Sequence, residues 1–179
     1  MKLRSQKIRL LKLVLVTAIL MIGCGEKFKI YENYAQRVRI SYPLSWNMQE
    51  NVMGVVATFN SAQEGADDRF QENLSVIVQD LGEQKETVTL KQYTETILGY
   101  LPRIIPGVQI VESKEIILST TPAYKVVCTA QQAEFRLKIL QAWTMKDNRT
   151  YMLTFTAEEN KYPKFEKTVE KMLKTFKIM

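Results

Sequence analysis

Four β-type segments follow one another in the second half of the chain: Val108 to Leu118, Ala123 to Ala130, Phe135 to Met145 and Tyr151 to Ala157. They are divided only by Thr121-Pro122, Gln131-Gln132 and Asp147-Asn148. A parallel neighbour needs a crossover of about a dozen residues or more, so connections this short make each segment pair back antiparallel on the one before it. Phe135, Leu137, Ile139, Trp143 and Met145 share one face of the third segment, and Arg136 and Lys138 begin the other. That period-2 alternation suits a sheet with two unlike faces.

The remaining segments surround this meander. Val38, Ile40 and Tyr42 alternate with Arg39 and Ser41 and run into Pro43, which predicts a half-buried strand ending in a turn that Trp46 closes. Val52 to Phe59 and Leu74 to Val78 read as neighbouring strands joined by the hydrophilic stretch Asn60 to Asn73. Thr89-Leu-Lys-Gln92 matches a capping box, Leu90, Tyr93, Ile97, Leu98 and Leu101 mark one helical face, and Pro102 is expected to end that helix. A last helix has Pro163 near its start and an apolar stripe of Phe165, Val169, Met172, Leu173 and Phe176. Lys171, Lys174 and Lys177 stand towards its end, where the helix dipole favours cations. Glu166 and Glu170 interleave with them, so this face is read as solvated. The order predicts an α+β fold, an antiparallel β-sheet flanked by α-helices.

The first residues have a different character. Lys2, Arg4, Lys7, Arg9 and Lys12 precede the apolar run Leu13 to Ile22 and then Gly23-Cys24, which is signal-peptide order. The apolar run is about half of the roughly 20 residues a membrane span requires. Met21-Ile22-Gly23-Cys24 resembles the lipobox of bacterial lipoproteins, in which the cysteine thiol takes a diacylglyceryl group as a thioether. The chain is therefore divided into a lipoprotein signal peptide over 1–23, a lipidated tether over 24–37 and one domain over 38–179, held by membrane lipid through Cys24 on the extracytoplasmic face. The formal charge of +6 belongs to the export signal: removing its five cations leaves 20 Lys and Arg against 19 Asp and Glu. That balance offers nucleic acid no basic surface, and a monomer is expected.

Chemistry-bearing residues are sparse. The chain has no histidine, so the commonest general base, the usual metal-ligating nitrogen and the Ser/His and Cys/His pairs are all missing. No Ser-x-x-Lys, Gly-x-Ser-x-Gly, phosphate-binding glycine loop or Cys-x-x-Cys occurs either, so no catalytic residue and no metal centre is assigned. With Cys24 lipidated, Cys128 is the one remaining thiol; it alternates with Tyr124, Val126 and Ala130 and is read as buried filler. Tyr42 and Trp46 are read as sealing the edge of the core. Glu64, Asp67, Asp68 and Glu72 gather in the long loop after Phe59. Clustered carboxylates are the oxygen donors calcium takes, and long loops carry partner contacts, so this is the candidate calcium or partner loop.

Tyr42-Pro-Leu-Ser-Trp46, Phe59 before a hydrophilic loop, and Asn73-Leu-Ser-Val-Ile-Val78 resemble the PsbP-like family. So do Thr89-Leu-Lys-Gln-Tyr93 opening a helix, Ala123-Tyr-Lys-Val127 after a turn, and the closing Phe165 to Phe176. The resemblance implies an α/β/α sandwich and a non-enzymatic accessory module that docks on a membrane protein complex, photosystem II in a photosynthetic host. Metal binding in some relatives uses histidine, so no site of that kind carries over. The alternative is a carrier or receptor that holds a small apolar ligand between sheet and helices.

Overall fold

A computed structural model of the chain describes residues 26–82 and 88–179. Cys24 and the export signal lie outside the described residues. Among the described residues ten strands and two helices follow in the order β1 Phe28–Asn33, β2 Val38–Pro43, β3 Asn47–Val52, β4 Val55–Asn60, β5 Asn73–Asp80, α1 Leu90–Ile104, β6 Gln109–Leu118, β7 Thr121–Gln132, β8 Phe135–Lys146, β9 Arg149–Glu158, α2 Tyr162–Thr175 and β10 Lys177–Ile178. Every strand pairing is antiparallel. The large sheet has seven strands in the order β3-β4-β5-β9-β8-β7-β6, and the small one has three in the order β1-β2-β10.

Burial on both faces of the large sheet explains the layering. One face presents Phe59, Leu74, Val76, Tyr151, Leu153 and Phe155 to α2 and the small sheet, which answer with Phe165, Val169, Met172, Val38, Ile40 and Tyr42. The other face packs Cys128, Leu137 and Ile139 under Leu101 and Ile97 of α1. At the opposite end of α1, Trp143 Nε1 donates a 2.9 Å hydrogen bond to Thr94 Oγ1. The expected antiparallel sheet between helices is what the chain forms. Trp46 is buried and stands edge-on to Phe165 at 6.0 Å, and Cys128 is buried with its thiol pKa pushed up by desolvation, so both belong to the core as expected. No helix among the described residues is long and apolar enough to cross a membrane.

Four boundaries differ from the sequence expectation. The tether over 24–37 is corrected: Phe28–Asn33 is a strand in register with β2, Tyr31 opposite Ile40, and buried Tyr31 packs on Phe59 at 5.8 Å. Val52 to Phe59 is not one strand, because Met53 and Gly54 take positive φ values of 52° and 81° and fold β3 onto β4. Two positive φ values in a two-residue loop match the right-handed twist of the flanking strands, and glycine adopts them without strain. The turns of the meander fall at Ser119-Thr120, Ala133-Glu134 and Asp147-Asn148, so Thr121-Pro122 and Gln131-Gln132 lie inside β7. Finally, α1 continues to Ile104 past Pro102; the ring removes only its own N–H donor, and Ile105 N still donates to Leu101 O at 2.8 Å.

Candidate functional site

The loop between β4 and β5 closes on itself before it meets the rest of the domain. At its neck Ser61 N donates to Glu72 O at 2.7 Å, Ser61 Oγ donates to Glu72 Oε2 at 3.3 Å, and Gln71 Nε2 donates to Ser61 O at 3.1 Å. At its tip Glu64 N donates to Asp68 Oδ2 at 3.0 Å and Asp68 N to Gly65 O at 3.2 Å. Apart from the Ser61 hydroxyl bond, which joins two side chains, these bonds satisfy backbone groups that no strand pairs.

Lys161 fixes the loop to the body. Its ammonium lies 2.6 Å from Asp68 Oδ1, 2.8 Å from Glu158 Oε2, 3.7 Å from Glu72 Oε1 and 4.0 Å from Glu64 Oε2. The side chain of Glu72 is 0% exposed and that of Asp68 is 4% exposed, so these are ion pairs largely removed from water. Lys164 forms a second pair with Glu64. Hydrogen bonds to Asp68 and Glu158 raise the Lys161 pKa well above its ordinary 10.5. An amine so held stays protonated at neutral pH and is no nucleophile or general base.

The structure therefore brings together Glu64, Asp68 and Glu72 of the expected loop residues and leaves Asp67 exposed, with no ion pair among the described residues. The centre that calcium would take is held by the Lys161 ammonium. Among the described residues no group of three or more His, Cys, Asp or Glu side chains is arranged to hold a metal ion. Sequence reasoning missed Lys161 and Glu158. The available signal was a lysine at the N-cap of α2 without a side-chain capping bond, where the helix dipole disfavours a cation unless acids surround it.

On its outer side the loop borders an open cleft of about 410 Å³ lined by Gly65, Asp67, Arg69, Phe135 and Glu158 among others. Arg69 reaches Glu134 at 3.2 Å, and Phe70 lies 5.3 Å from Phe135, so the loop also rests on the turn between β7 and β8. A second open groove of about 540 Å³ runs between the start of α1 and the edge of β6 and β7, lined by Leu90, Lys91, Glu115, Ile117, Pro122 and Tyr124 among others.

No curated protein sequence matches the chain closely enough to count as a relative. Solved structures do resemble it in fold. CyanoP, the cyanobacterial PsbP of Synechocystis sp. PCC 6803, superposes with a TM-score of 0.64 at 14% identity over 88% of this chain and 96% of its own. LpqN of Mycobacterium tuberculosis, described as involved in cell envelope biogenesis, gives 0.63 at 12% identity over 88% of this chain and 87% of its own. PA94 of Pseudomonas aeruginosa, a protein of unknown function, gives 0.59 at 14% identity over 84% and 96%. The PsbP family profile matches residues 26–178, which takes in β1 as well as the domain expected from Val38 onwards. The chain belongs to the PsbP family.

Proposed function

We propose that this PsbP-family chain is an extracytoplasmic lipoprotein, anchored by lipid on Cys24, whose monomeric domain is a non-enzymatic accessory module. It docks on a membrane protein complex through the loop between β4 and β5. The observation that carries this reading is the clamping of that loop by Lys161 to Glu64, Asp68 and Glu72. A loop already held in one shape loses little conformational freedom on binding, which is what a docking surface requires. Asp67 takes no part in the clamp and stands exposed to a partner, beside Arg69, which pairs with Glu134. The fold likeness to a cyanobacterial PsbP and to an envelope protein supports a place at a membrane. In a photosynthetic host the complex would be photosystem II.

The test is affinity purification of the full-length protein from its native membranes in mild detergent, with mass spectrometry of what co-purifies. Recovery of one complex, lost in the variant Asp67→Lys, supports docking through the loop; the side chain is exposed and forms no ion pair among the described residues, so the variant keeps its fold. A complex retained by the variant refutes the role of the loop. The groove beside α1 favours a second reading, a carrier of a small apolar ligand, since Leu90, Ile117 and Pro122 line it. Native mass spectrometry that finds a bound lipid, released by Ile117→Glu, would favour the carrier.

A further inference from the structure

The first described residues are bound to α2. Thr168 Oγ1 donates to Glu26 Oε2 at 2.7 Å, and the Lys171 ammonium stands 3.7 Å from the centre of the Phe28 ring. Between them, Lys27 O accepts from Leu44 N at 2.7 Å, which pins the same stretch to the turn after β2. Cys24 is two positions before Glu26, a reach of about 7 Å even when fully extended. That is less than the diameter of a helix with its side chains, about 10–12 Å. Lipid on Cys24 would thus enter the bilayer beside α2, and so short a leash keeps the domain against the headgroups.

The side of α2 that points away from the core is basic. Lys164, Lys167, Lys171 and Lys174 are all exposed, and their spacing of three, four and three places them within about 80° of the helix circumference at about 100° per residue. Glu166 and Glu170 fall on the flank towards β6, where the field of Glu170 reaches Lys114. At about 100° per residue they flank the lysine stripe on one side, Glu170 about 40° and Glu166 about 80° from Lys174, and leave the Lys164 and Lys171 side of the stripe without an acid of α2. Lys164 is paired with Glu64, whereas Lys167, Lys171 and Lys174 form no ion pair among the described residues. Two apolar side chains lie beside this stripe: Ile30 is 54% exposed on the strand face it shares with Phe28, and Leu44 is 56% exposed next to Lys27.

Resting on the lipid reading of Cys24, we propose that the lysine face of α2, with Ile30 and Leu44, lies on the anionic headgroups of the bilayer that holds the anchor. Lipid chains alone leave a domain free to rotate about its attachment point, and a basic face within a Debye length of an anionic surface selects one orientation. In that orientation the first turn of α2, where Lys164 meets Glu64, brings the clamped loop to headgroup height. A loop at that height faces partners embedded in the same membrane.

The test is amine footprinting of the full-length lipidated protein in phosphatidylcholine vesicles with and without phosphatidylglycerol, read by peptide mass spectrometry. Lys164, Lys167, Lys171 and Lys174 are expected to react at least about threefold more slowly on the anionic vesicles, and Lys91 and Lys114 equally on both. High salt should abolish the difference, as should the triple variant Lys167→Gln, Lys171→Gln, Lys174→Gln read at Lys164. The same spectra report the mass of the Cys24 peptide. An unmodified Cys24 overturns the anchor and the proposal together. A lipidated Cys24 with equal reactivity on both vesicles overturns the orientation and leaves the anchor standing. Protection seen in native membranes but absent from protein-free vesicles makes α2 a protein-binding face and overturns contact with lipid.

Discussion

Asp68 Oδ1 and Lys161 Nζ lie 2.6 Å apart although 93 residues separate them in the chain. The contact joins a loop with no regular structure to the N-cap of α2. Its surroundings show why it persists: Glu72, Glu158 and Glu64 complete a ring of carboxylates about one ammonium, and only 22% of the lysine side chain is exposed. A long hydrophilic loop usually has little to order it. Here an ion pair sheltered from water supplies the order that apolar contacts supply elsewhere.

Replacing Lys161 by methionine should therefore destabilise the domain more than an ordinary surface substitution. Breaking a buried ion pair costs about 3–5 kcal/mol, and the partial exposure of Lys161 reduces the expected loss to about 2–3 kcal/mol. Urea denaturation measures it; a loss under about 0.5 kcal/mol would mean that water solvates Glu72 and Asp68 without the lysine. The pH dependence has a definite sign. The folded state raises the Lys161 pKa above 10.5, so the contribution is complete below that pH and is lost as pH rises through the folded value. The methionine variant should lack this alkaline component of unfolding, and Lys161→Arg should move it to higher pH.

A second prediction concerns how α1 is held on the sheet. Trp143 is fully buried, and its indole N–H has Thr94 Oγ1 as its partner at 2.9 Å. Thr94→Val keeps the shape and removes the acceptor, leaving a buried donor unpaired at a cost of about 1–3 kcal/mol. Trp143→Phe in the Thr94→Val background should then cost less than it does in the wild type. A double-mutant cycle in urea reads the coupling; strict additivity would show that the bond contributes nothing.

The legibility of the chain follows the strength of its alternation. From Ala123 to Ala157 buried side chains recur on both faces, and the meander could be read directly from them. β3 carries Asn47-Met-Gln-Glu-Asn51 and exposes most of its side chains, so it left no apolar signal and merged with β4. The turn at Ser119-Thr120 uses positive φ values of 52° and 67° at residues that seldom adopt them, without the glycine or asparagine that would mark it. The acids of the loop were visible because they cluster in sequence. Their counterion was hidden because only the fold brings α2 beside them. Likewise the lysines of α2 looked diluted by Glu166 and Glu170 until helical geometry set both acids on one flank of the stripe.

The strand hidden in the expected tether provides the last prediction. Phe28, Ile30 and Tyr31 stand among Lys27, Lys29 and Glu32, and only Tyr31 of the three is buried, so the segment read as polar linker. Yet the Tyr31 hydroxyl donates to Glu50 Oε1 at 2.7 Å, which ties β1 of the small sheet to β3 of the large one. Burial first, and then this hydrogen bond, push the phenol pKa from 10.0 up to about 12. Because the folded value is raised, stability should fall between pH 10 and about 12, where the unfolded chain ionises its tyrosine and the folded one does not. Glu50→Gln removes the acidic partner, lowers the phenol pKa and narrows that window. Absorbance titration of phenolate, with Tyr31→Phe as the reference, separates this group from the other tyrosines. Tyr31→Ala should cost about 3 kcal/mol through the cavity it leaves against Phe59. A chain begun at Val38 should fold far less stably than one begun at Glu26, whereas a true tether could be removed without effect. Equal melting temperatures for the two would return residues 26–37 to the linker and sever the mechanical link between the membrane anchor and α2 on which the orientation of the domain depends.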